Sequence, residues 1–536
     1  MKHRKLSLTL GATYLSFSVV TAFSLNAAAQ SGEDSDPGSA DSAASEPTSA
    51  EASTGFSVGG EASASETGAD AETQAKADGE AASAGTPSAE ATTAEAPEKA
   101  DEKPVFTASE AAKGITWQAG DWQLTMYGYA ALNAMYDSTQ SFGPGIHNNL
   151  MQRPGTFAGD HDQFQMSVRD SRFGFKVGAP AAGDVKASAT IEMDFNGLQP
   201  VEFTEHDRQV MNPIRMRHYY MLVETPVVDV LAGQYFDVLG WGGKGFFPNT
   251  LAFLGLTGQV YHRQAQLRLS KTLNSDTFGM EVATAASRPA HKAAGMPDFQ
   301  AGLRFALNSW TGARAQGYGQ PGIGPLGVGV SGIVRRFEVA EFLPTPGEAR
   351  SATGLGYAVN AFVPVIPTKN ADKRGNALSL VGEYSNGKGI GDLYTELSGG
   401  LLFPTLPNPA ADQSQPPIYP QNIDSGFVTF DGNGELKMVE WEGFVLNLQY
   451  YLPIADGKVW IAGSYSQIRS TNLRALTPLP SRGGIYTRSS YSDVSLFVAL
   501  TKQLQVGTAF QMVEQKFADG VTAKNYRTEL GTHFFF

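Results

Sequence analysis

Three short motifs bring together residue types that could do chemistry. The Asp-His-Asp motif at residues 160–162 sets an imidazole between two carboxylates, an arrangement suited to general acid–base catalysis. Residues 317–322 have the glycine spacing of a dinucleotide-binding turn. Residues 431–435 carry carboxylate and amide oxygens that could bind calcium. Each of these chemistries would also need a particular structural element around the motif.

The surrounding sequence favours a plainer interpretation of each motif. Pro321 and the lack of a strand-to-helix unit make the glycine motif typical of a turn. The rest of a twelve-residue calcium loop is missing around residues 431–435, which is also typical of a turn. None of the eight histidines has a serine two residues further on, the pairing that a membrane phospholipase would need. The sequence predicts no enzyme, no cofactor and no metal site, with a hydrolase depending on His161 as the remaining alternative.

Composition excludes further classes of protein. The 536 residues include no cysteine, so disulfide scaffolds, thiolate zinc sites and cysteine nucleophiles are excluded. The formal net charge of −13 is concentrated in residues 31–104, which hold 17 acidic side chains and three lysines. Residues 105–536 carry a net charge of only −2 and show no basic stripe, so nucleic acid is not an expected partner.

Three parts follow one another along the chain. Residues 1–29 have a basic start, an apolar stretch and the small residues Ala27 to Ala29, which predicts a secretory signal peptide. Residues 30–104 form a spacer rich in Ala, Ser and Glu that cannot bury enough apolar surface to offset the entropy of ordering, so we predict disorder. Residues 105–536 form the folded body.

Alternating apolar and polar side chains dominate the folded body, for example from Trp122 to Tyr136 and from Leu504 to Met512. A period of two with one apolar face predicts half-buried β-strands. We count about sixteen of them between residues 121 and 536, with short and long connections in alternation. This all-β pattern predicts a transmembrane antiparallel β-barrel, whose closure leaves no unpaired backbone in lipid. A soluble β-helix or propeller would require a repeat of constant length, which the sequence lacks.

Two further features qualify the barrel prediction. A Gly/Pro-rich segment at residues 309–325 is too long for the short-turn side on which it falls. Aromatic residues near strand ends could form belts at the membrane interfaces. The expected belt residues are Trp122, Tyr136, Tyr235, Phe236, Trp441, Tyr450, Tyr451 and Trp460.

If apolar residues face lipid, their neighbours face the lumen. The residues that this rule predicts to line a pore are Arg172, Lys176, Glu192, Asp194, Arg215, Arg217, Tyr219 and Arg268. Such a polar lumen stays wet, so the predicted function is passive diffusion of small hydrophilic solutes. Because basic residues outnumber acidic ones in this set, a mild anion preference is one interpretation, and a merely solvated wall is the other.

The end of the chain carries a resemblance. Tyr526, Leu530, Phe534 and the terminal Phe536 resemble the carboxy-terminal assembly signal of bacterial outer-membrane barrels. The body is similar to Gram-negative trimeric porins of the DcaP type. The stretches that carry this similarity are residues 126–129 (Met-Tyr-Gly-Tyr), 171–176 (Ser-Arg-Phe-Gly-Phe-Lys) and 231–234 (Leu-Ala-Gly-Gln).

This resemblance implies a sixteen-stranded barrel in the bacterial outer membrane, a homotrimer, and contacts with membrane lipid and with the barrel assembly machinery. It also implies that a third loop, from Asp237 to Gly258, folds into the lumen as a constriction. The constriction residues would be Asp237, Trp241, Lys244, Phe246 and Phe247. The spacer departs from the family because residues 31–104 show no apolar heptads, so a coiled-coil extension is not expected.

A structural or adhesive outer-membrane protein is the alternative function. The proline-rich connection at residues 386–435 is long enough to bind a host or matrix surface. Conductance distinguishes the two functions, because a filled barrel would show none.

Overall fold

The computed structural model describes residues 114–143, 150–197, 213–251, 256–289, 294–343, 345–395, 428–431, 433–477 and 479–536. The predicted signal peptide and spacer lie outside these ranges, as does most of the proline-rich connection. Within the described ranges, no helix is both long and apolar enough to cross a membrane.

The described residues form twenty strands. The first ten are β1 (Ile115–Ala119), β2 (Trp122–Asp137), β3 (Gln163–Ser167), β4 (Arg172–Gly178), β5 (Lys186–Asp194), β6 (Arg215–Glu224), β7 (Asp229–Phe236), β8 (Arg263–Asn274), β9 (Phe278–Ser287) and β10 (Asp298–Arg314). The others are β11 (Gly322–Ala340), β12 (Ala349–Ile366), β13 (Leu378–Lys388), β14 (Val428–Phe430), β15 (Leu436–Met438), β16 (Glu440–Tyr451), β17 (Val459–Ser470), β18 (Tyr486–Ala499), β19 (Leu504–Phe517) and β20 (Thr522–Phe535).

Helices in the described part are short segments of three to six residues within connections. The α-helical turns are Phe157–Asp160 and Leu473–Leu476. The 3-10 turns are Leu239–Trp241, Gly391–Leu393, Ile454–Gly457 and Leu479–Gly484.

Antiparallel pairing of sequential strands closes the sheet into a barrel. The last strand, β20, pairs with β2 from Tyr129 opposite Phe535 to Asp137 opposite Arg527. Counting β3 and β4 as the two halves of one strand, the described residues form a closed barrel of sixteen strands. The prediction of about sixteen strands is therefore confirmed. The longest connections lie at the end where β2 finishes, here called the loop end, and the opposite end is called the turn end. The four-residue connection between β19 and β20 is an exception at the loop end.

The two faces of the wall differ as the alternation predicts. On β20, the side chains of Tyr526, Leu530 and Phe534 are exposed. The intervening Arg527 and Glu529 are buried inside the barrel. A closed sheet whose outer face is apolar has the surface of a membrane protein, because lipid replaces water around it.

Local departures from the predicted strands occur near the start of the barrel. The sequence did not predict β1, which pairs with the beginning of β2 from Ile115 opposite Met126. The backbone of Phe536 exchanges two hydrogen bonds with Gly128, both 3.0 Å long. β1 therefore extends the sheet along β2 beyond the point where β20 stops. Elsewhere, β15 (residues 436–438) pairs with β14 in a separate small sheet.

Several expected belt aromatics lie inside the barrel. Trp122 and Tyr136 are exposed, as an interfacial belt requires. Trp441, Tyr451 and Trp460 are instead at most 1% exposed and pack in the lumen. The prediction was wrong for these three residues because proximity to a strand end does not specify which face a side chain occupies.

Candidate pore constriction

The connection between β7 and β8, residues 237–262 and hereafter the third loop, folds into the barrel. Its two ends meet at Asp237 and His262. The carboxylate of Asp237 lies 2.9 Å from Nδ1 of His262, and its backbone N–H donates to the carbonyl of His262 at 3.2 Å. Gln300 on β10 donates to the other carboxylate oxygen at 3.2 Å.

The two ends of the third loop also affect one another electrostatically. Burial would raise the pKa of Asp237, but His262 and hydrogen bonds from Gln300 hold that pKa below its ordinary value. Burial would lower the pKa of His262, and Asp237 raises it instead. Each group thus favours the charged form of the other, which stabilises the closed base of the loop.

A gap left by small residues of β10 and β11 accommodates the first part of the third loop. A Cβ atom on Gly302 would lie 2.7 Å from the ring of Trp241, and one on Gly329 would also lie 2.7 Å from that ring. The indole N–H of Trp241 donates to the carbonyl of Val330 at 3.2 Å. Phe246 packs beside Trp241 in the same buried cluster. Side chains at these glycines would collide with the loop.

Lys244 attaches the third loop to the wall through an ion pair. Its ammonium lies 2.8 Å from Glu281 on β9. Arg304 on β10 binds the second oxygen of Glu281 and donates to the carbonyl of Lys244 at 2.8 Å. Burial lowers the pKa of Lys244, although the adjacent Glu281 opposes the shift. The positive charge of Lys244, a residue predicted to lie in the constriction, is therefore paired with a wall carboxylate.

The middle of the third loop reaches the opposite wall. The backbone N–H of Asn249 donates to the side-chain oxygen of Asn447 on β16 at 3.0 Å. The indole N–H of Trp460 donates to the side-chain oxygen of Asn249 at 2.8 Å. Leu251 lies against β19 and β20, where a Cβ on Gly531 would come within 2.8 Å of its side chain. The loop then returns, and the N–H of Val260 donates to Glu383.

The wall formed by β4, β5 and β6 carries a cluster of charged side chains. Arg217 donates to Glu192 at 2.7 Å and to Asp194 at 3.0 Å. Arg215 donates to both oxygens of Asp194, at 3.0 and 2.7 Å. Arg172 lies 3.8 Å from Glu192. Because two carboxylates face three guanidinium groups, this part of the lumen is net basic.

Tyr261 joins the third loop to this cluster. Its hydroxyl oxygen accepts hydrogen bonds from Arg217 at 3.0 Å and from Arg263 at 2.8 Å. Burial by itself raises the pKa of this hydroxyl, but Arg217, Arg263 and Arg172 outweigh burial and lower the pKa to about 7. Phe247 packs against the ring, with centroids 4.9 Å apart.

The structure places most of the predicted pore residues on the inner face without gathering them at one point. Arg172, Glu192, Asp194, Arg215 and Arg217 form the cluster above. Lys176 lies further toward the turn end, opposite Thr190. Arg268 lies under the base of the third loop, where it donates to the carbonyl of Phe236 and to Gln266. Because Arg268 is only 3% exposed and binds the base of the loop, it positions the loop.

Tyr219 faces outward, so the prediction that it lines the pore was wrong. It lies opposite Ile191 on the outer face and is 45% exposed. The reason is a register shift in which Glu192 pairs with His218 while Met193 pairs with Met216. This bulge adds one residue to β6, so both Arg217 and His218 point inward and the alternation reverses beyond them.

Some site residues gave no signal in the sequence. Arg263 would face outward by alternation along β8, but it lies at the strand's first position and turns toward Tyr261. Tyr261 lies two residues before the start of β8, so the alternation along the strand does not predict which way its side chain points. Glu281 follows the inward alternation of β9 and could have been predicted from it.

The Asp-His-Asp motif at residues 160–162 and the carboxylate-rich motif at residues 431–435 make local contacts. Nδ1 of His161 donates to the carbonyl of Phe157 at 2.7 Å, and the imidazole stacks on the ring of Phe157. Asp160 accepts from the N–H of Gly155. The Asp431 carboxylate accepts from the N–H groups of Asn433 and Glu435, a pattern typical of a turn.

A closed antiparallel barrel whose third loop folds into a polar lumen is a porin-type barrel. No protein-family profile matches the chain, and no curated protein matches it in sequence. Among solved structures it is similar to the outer-membrane channel DcaP of Acinetobacter baumannii, with 16% sequence identity and a TM-score of 0.53 over 79% of this chain and 99% of that one. It is also similar to the anion-selective porin of Comamonas acidovorans, with 10% identity and a TM-score of 0.42 over 77% and 100% of the two chains. At these identities the likeness to DcaP shows a shared fold.

Proposed function

We propose that this protein is an outer-membrane channel for the passive diffusion of small hydrophilic solutes. The observation that carries the proposal is the closed barrel with an apolar outer face and a charged inner wall beside an in-folded loop. Barrels of this kind lie in the bacterial outer membrane, with their longer loops on the outer side. The loop end of this barrel is then extracellular, and the turn end is periplasmic.

A mild preference for anions follows from the charge cluster. Arg172, Arg215 and Arg217 outnumber Glu192 and Asp194, the two carboxylates that they pair with, and rings of basic side chains favour anions. Lys244 adds little to this preference, because Glu281 pairs with it. The solute class that fits the channel is therefore small, hydrophilic and uncharged or negatively charged.

Single-channel recording tests both parts of the proposal. Purified full-length protein in a planar bilayer should give discrete conductance steps, and a KCl gradient should give a reversal potential of the sign that chloride permeation produces. A reversal potential favouring potassium would overturn the anion preference but not the proposal that the protein is a channel. Absence of any conductance from folded protein would overturn the channel and favour the structural or adhesive alternative.

We further propose a homotrimer that contacts membrane lipid and is inserted by the barrel assembly machinery. The exposed apolar residues Tyr526, Leu530 and Phe534 share the outer face of the last strand, where that machinery could contact them. Cross-linking of the protein in native membranes, followed by mass measurement of the extracted complex, tests the trimer.

A further inference from the structure

The connection between β10 and β11 lies at the turn end but does not stay outside the barrel. The two strands pair regularly until Leu307 lies opposite Leu326, and pairing then resumes with Thr311 opposite Pro325. Three extra residues, 308–310, therefore interrupt β10. Such a bulge bends a hairpin. The tip of the hairpin, residues 315–321 and hereafter the inserted turn, enters the lumen.

Neighbouring strands hold the arms of this hairpin inside the barrel. The indole of Trp310 donates to the carbonyl of Pro364 on β12 at 2.9 Å. The hydroxyl of Ser379 on β13 donates to the carbonyl of Ala313 at 2.6 Å. Ala313 is fully buried. The hairpin therefore lies across the inner surface of β12 and β13.

Two inward-facing glutamines bind the backbone of the inserted turn. Gln449 on β16 accepts from the N–H of Ala315 at 2.9 Å and donates to its carbonyl at 3.0 Å. Gln505 on β19 donates to the carbonyl of Tyr318 at 2.9 Å. Both glutamines lie close to the turn end of their strands. Buried backbone groups need such partners, so these contacts fix the position of the turn.

The far end of the inserted turn reaches the strands opposite its origin. The ring of Tyr318 stacks on His533 of β20, with centroids 4.7 Å apart and planes 18° apart. It lies edge-on to Tyr129 of β2 at 6.4 Å. Since β20 and β2 lie half a circumference away from β10 and β11, the turn spans the lumen.

The inserted turn also joins the third loop. The N–H of Gly317 donates to the carbonyl of Pro248 at 2.9 Å, and the side chain of Asn249 donates to the carbonyl of Gly317 at 2.8 Å. Gly317 has a φ of +53°, a conformation that glycine adopts readily. The two segments therefore form one continuous layer across the barrel.

We propose that the inserted turn is a second constriction of the pore, placed at its periplasmic mouth. It closes the turn end of the lumen beside β12 to β20, so that solutes leave along β4 to β9. The inference rests on the proposed channel function. Its consequence for selectivity is that a solute cannot avoid the wall that carries Arg172, Arg215 and Arg217.

A variant that removes the hairpin tests the constriction. Replacing residues 308–325 by Asn-Gly joins Leu307 to Leu326, which already face one another, through the two-residue turn that suits a hairpin. We expect the single-channel conductance to rise roughly two-fold or more, because pore width sets conductance. As a matched control, replacing residues 180–184 by Asn-Gly shortens an exposed turn that stays outside the lumen, and the conductance should not change.

The outcomes separate this inference from the proposed function. If the unmodified protein shows no conductance, the channel proposal fails. If it conducts and the shortened, folded variant conducts equally, only the second constriction is overturned. Folding of each variant is checked by its heat-dependent mobility in electrophoresis.

A cysteine probe answers the same question without removing any backbone. Because the chain has no cysteine, Gln316→Cys in the inserted turn introduces a unique thiol. Modification with a bulky methanethiosulfonate reagent should reduce the current, whereas modification of Ala182→Cys in the exposed control turn should not. An unchanged current after complete modification at residue 316, verified by mass, would overturn the proposal even if the shortened variant does not fold.

Discussion

Among single residues, Tyr261 makes the charge of the lumen sensitive to pH. Its hydroxyl accepts hydrogen bonds from two guanidinium groups, so the phenolate form is stabilised where the basic cluster faces the pore. A neutral phenol leaves the cluster net basic, and a phenolate cancels one positive charge. With a pKa lowered to about 7, this change falls within the physiological range of pH.

The preference for anions should therefore depend on pH. Between pH 6 and pH 8, Tyr261 loses its proton, so we expect the chloride-to-potassium permeability ratio to fall as pH rises. Reversal potentials in a KCl gradient measure this ratio. Tyr261→Phe should remove the fall and keep the higher ratio at both pH values. The neighbouring His262 is the control: if His262→Gln, and not Tyr261→Phe, abolishes the response, the assignment to Tyr261 is wrong.

At the scale of elements, the third loop occupies space that the wall leaves free. The inward positions of β11 opposite the loop are Gly327, Gly329 and Ser331, and Gly302 lies beside them on β10. Small side chains on two adjacent strands create a depression that the ring of Trp241 fills. The position of the loop thus depends on the side chains of the wall as well as on its own closed base.

Enlarging one of these glycines should displace the loop. A Cβ on Gly302 would lie 2.7 Å from Trp241 and 3.0 Å from Val238, so Gly302→Leu forces the loop away from the wall at a cost of roughly 1–3 kcal/mol. We expect an altered single-channel conductance and a lower thermal stability. Ala301→Leu, on the outer face of the same strand, is the control. Identical conductance in the two variants would mean that Trp241 does not fix the constriction.

The last strand permits a separate test of assembly. Phe536 pairs with Gly128 through two backbone hydrogen bonds, a small part of the β2–β20 seam. Deleting Phe536 should therefore change the conductance of protein refolded in detergent very little. If the terminal residues are read during insertion, the same deletion should lower the amount of protein in the outer membrane several-fold. Equal membrane levels with and without Phe536 would argue against that role.

The sequence predicts the strands of the barrel wall well, but it does not predict which connections fold into the lumen. Strand number and wall faces follow from alternation, because a period of two is fixed by backbone geometry. Tyr219 shows the limit of this rule, since a single bulge reverses every face beyond it. The alternation rule could not predict that residues 315–321 fold into the lumen. The sequence shows an overlong Gly/Pro-rich turn, but the residues that hold this turn, Gln449, Gln505 and His533, are distant in the chain.

For the whole molecule, each strand has one face that packs against segments inside the lumen and one face that contacts lipid. Trp441, Tyr451 and Trp460 point inward and pack against connections, so the interior contains dry clusters as well as a polar passage. On the outer face, ion pairs such as Arg469–Glu442 and Arg488–Glu514 lie near the loop end. Charged side chains of this kind suit the polar edge of a membrane and not its centre.

The depth dependence of charge on the outer face tests this orientation. Phe510 lies outward near the middle of β19, so Phe510→Arg places a guanidinium in the hydrocarbon centre and should destabilise the folded protein by about 2–4 kcal/mol. Thr522→Arg, at the loop-end edge of the adjacent β20, should cost about 0–1 kcal/mol because it lies at the membrane interface. Urea titration of both variants in lipid vesicles gives the two free energies of unfolding. Because the same charge is added in each case, the difference between them reports depth together with the loss of the Phe510 ring, and equal costs would show that the middle of this face is not in contact with lipid.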